Sequence, residues 1–149
     1  MITITALGPP IGQPRQRHGI VAGHVRNWTP TKHPVNAYKA TIREAAASAG
    51  VTLLDGPVAL LIVFVFPRPK NMVWKRKPMP SVWHVKTPDL DNCCKATMDA
   101  LSGIAWRDDA QVADIRARKR IAAGDESPRT VVSIHHLLET DHDDSDDDR

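Results

Sequence analysis

At 149 residues and 16.5 kDa the chain has the size of one domain. Its 42% hydrophobic and 25% charged residues permit a core and exclude wholesale disorder. The longest strongly apolar stretch, Val58 to Phe66, is too short to cross a bilayer as a helix, so no membrane partner is expected. The opening MITITALGPP has no basic leader followed by an apolar region, so no secretory signal is expected. The net charge of +3 hides an asymmetry: residues 139–149 carry seven acids against one arginine, a net of −6, which leaves +9 on residues 1–138. A basic body points to a polyanionic partner. The organisation expected is one α/β domain over 1–138 and an acidic, solvated, disordered tail over 139–149. The tail could also bind the body's own basic surface and compete with nucleic acid, though a solubility tail is the preferred reading.

Ile2 to Leu7 alternates before Gly8-Pro9-Pro10 and predicts a strand with a hard stop. Residues 12–33 hold Arg15, Arg17, Arg26, Lys32 and three histidines with no acid, and read as a basic loop. Val35 to Ala49 predicts an alanine-rich helix between Pro34 and Gly50, with Val35, Tyr38, Ile42, Ala45, Ala46 and Ala49 at helical spacing. Val58 to Phe66 is apolar at nearly every position and predicts a central strand covered on both faces. Pro67 to Lys86 combines basic residues, four prolines, Trp74 and Trp83, and reads as a flexible loop. Asp89 to Ser102 predicts a second helix with Asp89 as its cap and Gly103 as its stop. Leu90, Cys94, Thr97, Met98 and Leu101 are expected on its apolar face. Strands over 110–122 and 130–138 complete a mixed sheet with two main helices, the α/β (α+β) class. Cys93 and Cys94 are adjacent, unsuited to a disulfide or a four-cysteine zinc site, and fit a reducing cytoplasm as packing residues.

The informative stretch is 86–120. Asp89, Asp91, Asp108 and Asp109 stand within a basic sequence that would otherwise favour DNA throughout. A divalent cation accounts for them: Mg2+ takes hard oxygen ligands, commonly one or two carboxylates completed by water and substrate phosphate. Such a cation lowers the pKa of a water, orients the phosphate and stabilises the departing oxygen. Asp89 at the cap and Asp91 in the first turn share a helix end whose dipole favours their charge. The chain can return after Gly103 to bring Asp108 or Asp109 to the same point. Asp91 and Lys95 are one helical turn apart, so Lys95 either restrains a carboxylate, contacts the scissile phosphate, or forms an ordinary surface pair. A D-x-D alone is weak; it also caps helices and occurs in sugar-nucleotide enzymes.

The ordered set Asp89-Leu90-Asp91-Asn92, Lys95, Asp99-Ala100-Leu101 and Asp108-Asp109-Ala110-Gln111-Val112 resembles the signature of the RusA-family Holliday junction resolvases. The resemblance implies a small homodimeric endonuclease, often encoded by phages or prophages, that uses Mg2+ or Mn2+ to nick four-way and related branched DNA. It implies Asp89, Asp91 and Asp109 as essential metal-site carboxylates, Asp108 as an adjacent ligand or supporting acid, and Lys95 as a functional lysine. Matched nicks in opposing strands suit a two-fold dimer. The long basic loop at 67–86 and the acidic tail depart from the pattern and bear on substrate preference.

Phosphate contacts are expected from Arg15, Arg17, Arg68, Lys70, Lys75, Arg76, Lys77, Arg116, Arg118 and Lys119. Arg118, Lys119 and Arg120 alternate on a predicted strand, so not all can face DNA. Trp74 and Trp83 either stack on unpaired bases, pack the loop onto the body or fill a dimer interface. Trp106 is expected in the core. A non-catalytic basic protein that binds branched DNA is the alternative reading.

Overall fold

The computed structural model describes residues 1–15 and 17–138. The acidic segment 139–149 lies outside the described residues. Seven strands and two helices follow one another as β1 (Ile2–Leu7), β2 (Arg17–Val21), β3 (His24–Trp28), α1 (Pro34–Ser48), β4 (Val58–Phe66), β5 (Val82–Trp83), α2 (Leu90–Leu101), β6 (Val112–Ile121) and β7 (Arg129–His136). Five strands form a mixed sheet in the order β1-β7-β4-β6-β5. The β4–β6 pair is parallel and the other pairs are antiparallel. A parallel pair needs a crossover, and α2 lies within it. This is the mixed α/β architecture with two helices that the sequence predicts.

α1 begins with Pro34 at its first turn, where a missing N–H costs nothing. The His33 ring accepts a hydrogen bond from the Val35 amide at 3.1 Å. Val35, Tyr38, Ile42 and Ala46 are buried, as their spacing predicts. They join Ile4 and Ala6 of β1, alternate residues of β4, Val132 and Ile134 of β7, and Cys93, Ala96, Ala100 and Leu101 of α2 in one core. Both helices therefore pack on the same face of the sheet. The Tyr38 hydroxyl and the Thr130 hydroxyl meet at 2.6 Å within that core. Burial pushes the Tyr38 phenol up to about 12.

Three expectations are corrected. The segment 12–33 is more than a loop: β2 and β3 form a separate antiparallel hairpin, turning at Ala22-Gly23 with φ of 52° and 78°. Both strands are largely exposed, so burial imposes no apolar alternation on them. β4 is central but covered by helices on one face only. Val58, Leu60, Ile62, Phe64 and Phe66 face the helices; on the other face Ala59 and Val65 are buried but Leu61 is 41% exposed, so that face is partly open. A nine-residue apolar run does not reveal which face is open. The third correction is on α2. Its fully buried residues are Cys93, Ala96, Thr97, Ala100 and Leu101, while Leu90, Cys94 and Met98 are only partly covered.

Segment 67–86 contains a 3-10 turn at Lys70–Met72 and the short β5. Arg68 organises it: its guanidinium donates to the carbonyls of Met72, Pro80 and Ala122 at 2.7, 2.9 and 3.2 Å. Trp74 lies under both Arg68 and Lys77, 4.9 and 5.0 Å from its ring centre. Among the described residues no helix is long and apolar enough to cross a membrane.

Candidate active site

A cleft of about 710 Å³ runs along α2 beside β6. Leu90, Cys94, Met98, Ile115 and Ala117 give it an apolar floor, and Asp91, Lys95, Asp99 and Asp109 give it charge. Asp91, Lys95 and Asp99 succeed one another at four-residue steps, so the helix presents them along one stripe. Asp109 enters from the 3-10 turn Asp109–Gln111 that precedes β6. The buried Trp106 indole donates to Asp109 Oδ1 at 2.8 Å and ties that carboxylate to the core.

The four predicted aspartates are treated differently. Asp91 and Asp109 line the cleft. Asp89 occupies the α2 cap position with extended backbone, yet its side chain makes no capping hydrogen bond. It is exposed at the helix entrance and is not among the residues lining the cleft. Asp108 is engaged elsewhere: its carboxylate accepts from the Ala110 amide at 2.8 Å, and Gln111 completes a capping box. The return after Gly103 thus delivers Asp109, one of the two acids expected there, and leaves Asp108 outside the cleft lining. Among the described residues no three His, Cys, Asp or Glu side chains gather as a ready metal cage. The oxygen donors of Asp91 and Asp109 nevertheless suit Mg2+, which takes one or two carboxylates and leaves the remaining positions to water and phosphate.

Lys95 is exposed, and among the described residues it has neither a hydrogen bond nor an ion pair. Asp99, which belongs to the motif without a role of its own there, pairs with Lys39 at 3.4 Å. Lys95 also borders a second cleft of about 540 Å³, lined by Gln13, Pro14, Arg15, His18 and Asn92. The two clefts meet at this lysine. The Gln13 amide donates to the Asn92 carbonyl at 2.9 Å and docks the N-terminal segment on α2. Cys94 lines the first cleft and Cys93 is buried, both as free thiols. Burial pushes Cys93 up to about 12, and burial followed by the charge of Asp91 raises Cys94. Both stay neutral near pH 7 and supply no thiolate.

The predicted phosphate contacts are scattered. Arg15 borders the second cleft and Arg17 opens β2 opposite Trp28. Lys70, Lys75, Arg76 and Lys77 are exposed on the 67–86 segment. Arg68 is corrected to a structural residue, because its guanidinium is turned onto three carbonyls. Arg116 and Arg118 pair in register with Leu61 and Val63, on the sheet face away from the helices and the carboxylates. Lys119 is on the helix side, but its ammonium donates to the carbonyls of Lys86 and Pro88 at 2.6 and 2.7 Å. Trp83 stacks on Arg120, with 4.4 Å from guanidinium to ring centre. Both loop tryptophans therefore carry a cation over the ring, and Trp83 remains 59% exposed. Sequence reading missed the contributions of Asp99, His18 and Trp106; the four-residue step from Asp91 through Lys95 was the available signal for Asp99.

Comparison with known proteins agrees with the layout. The family described as Endodeoxyribonuclease RusA matches residues 8–135. The Uncharacterized protein YqaN of Bacillus subtilis (strain 168) is 30% identical over 142 residues, spanning 91% of this chain and 96% of that protein. The matched stretch contains both clefts, the N-terminal segment docked on α2 and the strand that follows Asp109, and the chain accordingly belongs to the RusA endodeoxyribonuclease family.

Proposed function

We propose that this nuclease is a Mg2+-dependent resolvase of four-way and related branched DNA, acting in recombination and repair as a homodimer that makes paired symmetric nicks. One observation carries the reading: Lys95 stands where a carboxylate-bearing cleft meets a basic one. Asp91 and Asp109 would hold the cation, with Asp89 at the helix entrance available to it. When bound, Mg2+ supplies Lewis acidity toward the scissile phosphate and a nearby water. Lys95 offsets charge on the phosphate as the bond breaks. Arg15 and His18 line the path of the strand beyond it. Trp106 keeps Asp109 turned toward the cleft. Lys39 neutralises Asp99, so the far end of the stripe repels the phosphate chain less.

Mn2+ is expected to substitute for Mg2+, since both accept the same oxygen donors. The setting this implies is a reducing cytoplasm, that of a bacterial host if the gene is phage-borne. The test is cleavage of a synthetic mobile four-way junction against a matched linear duplex, with Mg2+ and with EDTA. Wild type should give paired nicks in the junction only, and only with the cation. Asp91→Asn should bind the junction as well as wild type and cut at least about 1,000-fold more slowly, the scale of several kcal/mol of lost charge stabilisation. Tight junction binding with no nicking in either Mg2+ or Mn2+ would leave the non-catalytic binder as the better description.

A further inference from the structure

Lys119 is the one member of the Arg116–Arg120 basic run whose side chain donates to the segment leading into α2. Its backbone carbonyl accepts from the His84 amide at 3.2 Å. Its ammonium then reaches over to the Lys86 and Pro88 carbonyls at 2.6 and 2.7 Å. One residue of β6 therefore grips segment 84–88 by main chain and side chain together, and Asp89 follows at once. Charge-assisted bonds of this length are strong and directional. The Asp89 carbonyl in turn accepts from the Cys93 amide at 3.1 Å, which begins the helical ladder that carries Asp91.

The same segment is confined from the opposite side. A β-carbon at Gly12 would lie 2.7 Å from Pro88 Cβ and 3.4 Å from Asn92 Cβ. The N-terminal segment presses on Pro88 as closely as a backbone can. Lys119 and Gly12 form two jaws, with the entrance of α2 between them.

We propose that Lys119 is a positioning residue: it fixes the segment that presents Asp89 and Asp91 to the cation and does not itself take a phosphate of the DNA. The inference rests on the carboxylate reading given above. Two of its three N–H bonds are already directed at carbonyls, and those carbonyls flank Thr87, the second belonging to the residue before Asp89. An arginine would restore the charge but not the geometry, because its longer side chain ends in a rigid planar fork instead of a compact ammonium with freely rotating donors.

Three variants and four readouts test this. The variants are Lys119→Met, which keeps the apolar stem, Lys119→Arg, and Gly12→Ala, which changes no charge. The readouts are hydrogen exchange at the Cys93 amide, Mn2+ binding by electron paramagnetic resonance, cleavage against Mg2+ concentration, and junction affinity without metal. Lys119→Met should speed exchange at Cys93 and raise the Mn2+ half-saturation at least about tenfold, the scale on which residues supporting metal ligands act. Cleavage should fall with it and recover in part at high Mg2+. Junction affinity without metal should stay within about twofold, far less than the change in metal binding. Gly12→Ala should move the same readouts the same way, and Lys119→Arg should fail to rescue them.

The opposite pattern overturns the proposal. In it, Lys119→Met weakens junction binding and flattens its salt dependence, Lys119→Arg rescues both, and Mn2+ binding is unchanged. A lowered Tm with every readout reduced in proportion overturns it too, since support of the fold would then suffice. Wild-type protein that binds no Mn2+ would sink the carboxylate reading itself. The exchange comparison would still decide whether Lys119 holds the entrance of α2.

Discussion

The α2 cleft and the 67–86 segment are both rich in charge, and they use it in opposite ways. Along the cleft, Asp91 and Lys95 are exposed, and Asp89 leaves its capping bond unmade. In the 67–86 segment, Arg68 is turned inward onto three carbonyls and Trp74 is flanked by two cations. The first arrangement holds charge ready for something outside the chain. The second uses charge to hold a loop that has almost no apolar core of its own. Counting basic residues therefore overstates the binding surface, and the hydrogen-bond partners show by how much.

Substitutions in the two regions should separate cleanly. Lys95→Met is the strongest test: cleavage should fall about 100-fold or more, as for loss of one group aimed at developing charge, while Tm holds. A fall in Tm instead would show that Lys95 is structural and would erase the contrast. Arg68→Ala should do the reverse. It removes a charged donor from three acceptors and should lower unfolding free energy by about 2 kcal/mol in a urea titration. Junction affinity of the folded protein should barely change. Arg76→Ala sharpens the comparison inside the loop, because Arg76 is exposed and Arg68 is not free. If Arg76 meets one phosphate, the slope of log affinity against log salt should shrink by about 0.9.

The smallest effect concerns a carboxylate of the engaged kind. Glu126 accepts from the Ala123 amide at 2.9 Å and from Arg129 at 3.0 Å. Those bonds hold its pKa below the ordinary 4.5. The stability it contributes is present above pH 4.5 and is lost as the pH falls through its lowered value. Glu126→Gln should therefore cost a little stability at neutral pH and flatten the acid side of a Tm-against-pH curve.

The elements readable from the chain are those in which burial imposes a period. α1 declares itself through Val35, Tyr38, Ile42 and Ala46, and β7 through its alternating buried residues. The β2–β3 hairpin does not, because neither strand covers a core. Its Ala22-Gly23 turn also lacks the Asn-Gly or Asp-Gly pair that marks such turns most clearly. In the site, the spacing from Asp89 to Lys95 is a local property of one helix and reads directly. The choice between Asp108 and Asp109 is not local. It depends on a 3-10 turn that gives one carboxylate to a backbone amide and the other to the Trp106 indole. The fate of Arg68 and Lys119 was equally hidden, since their partners are main-chain carbonyls, which any sequence supplies.

The bond between Trp106 and Asp109 has an optical consequence. Trp106 is 0% exposed, whereas Trp28 and Trp83 are 43% and 59% exposed. A buried indole emits at shorter wavelength than solvated ones, so the blue edge of the fluorescence belongs chiefly to the residue that touches the cleft carboxylate. A cation or phosphate that draws electron density from Asp109 will alter the indole N–H bond and shift that edge. The red edge, dominated by the exposed rings, would respond separately to any ligand that covers the hairpin or β5. One chain thus carries two colours of signal, one for the chemistry and one for the grip.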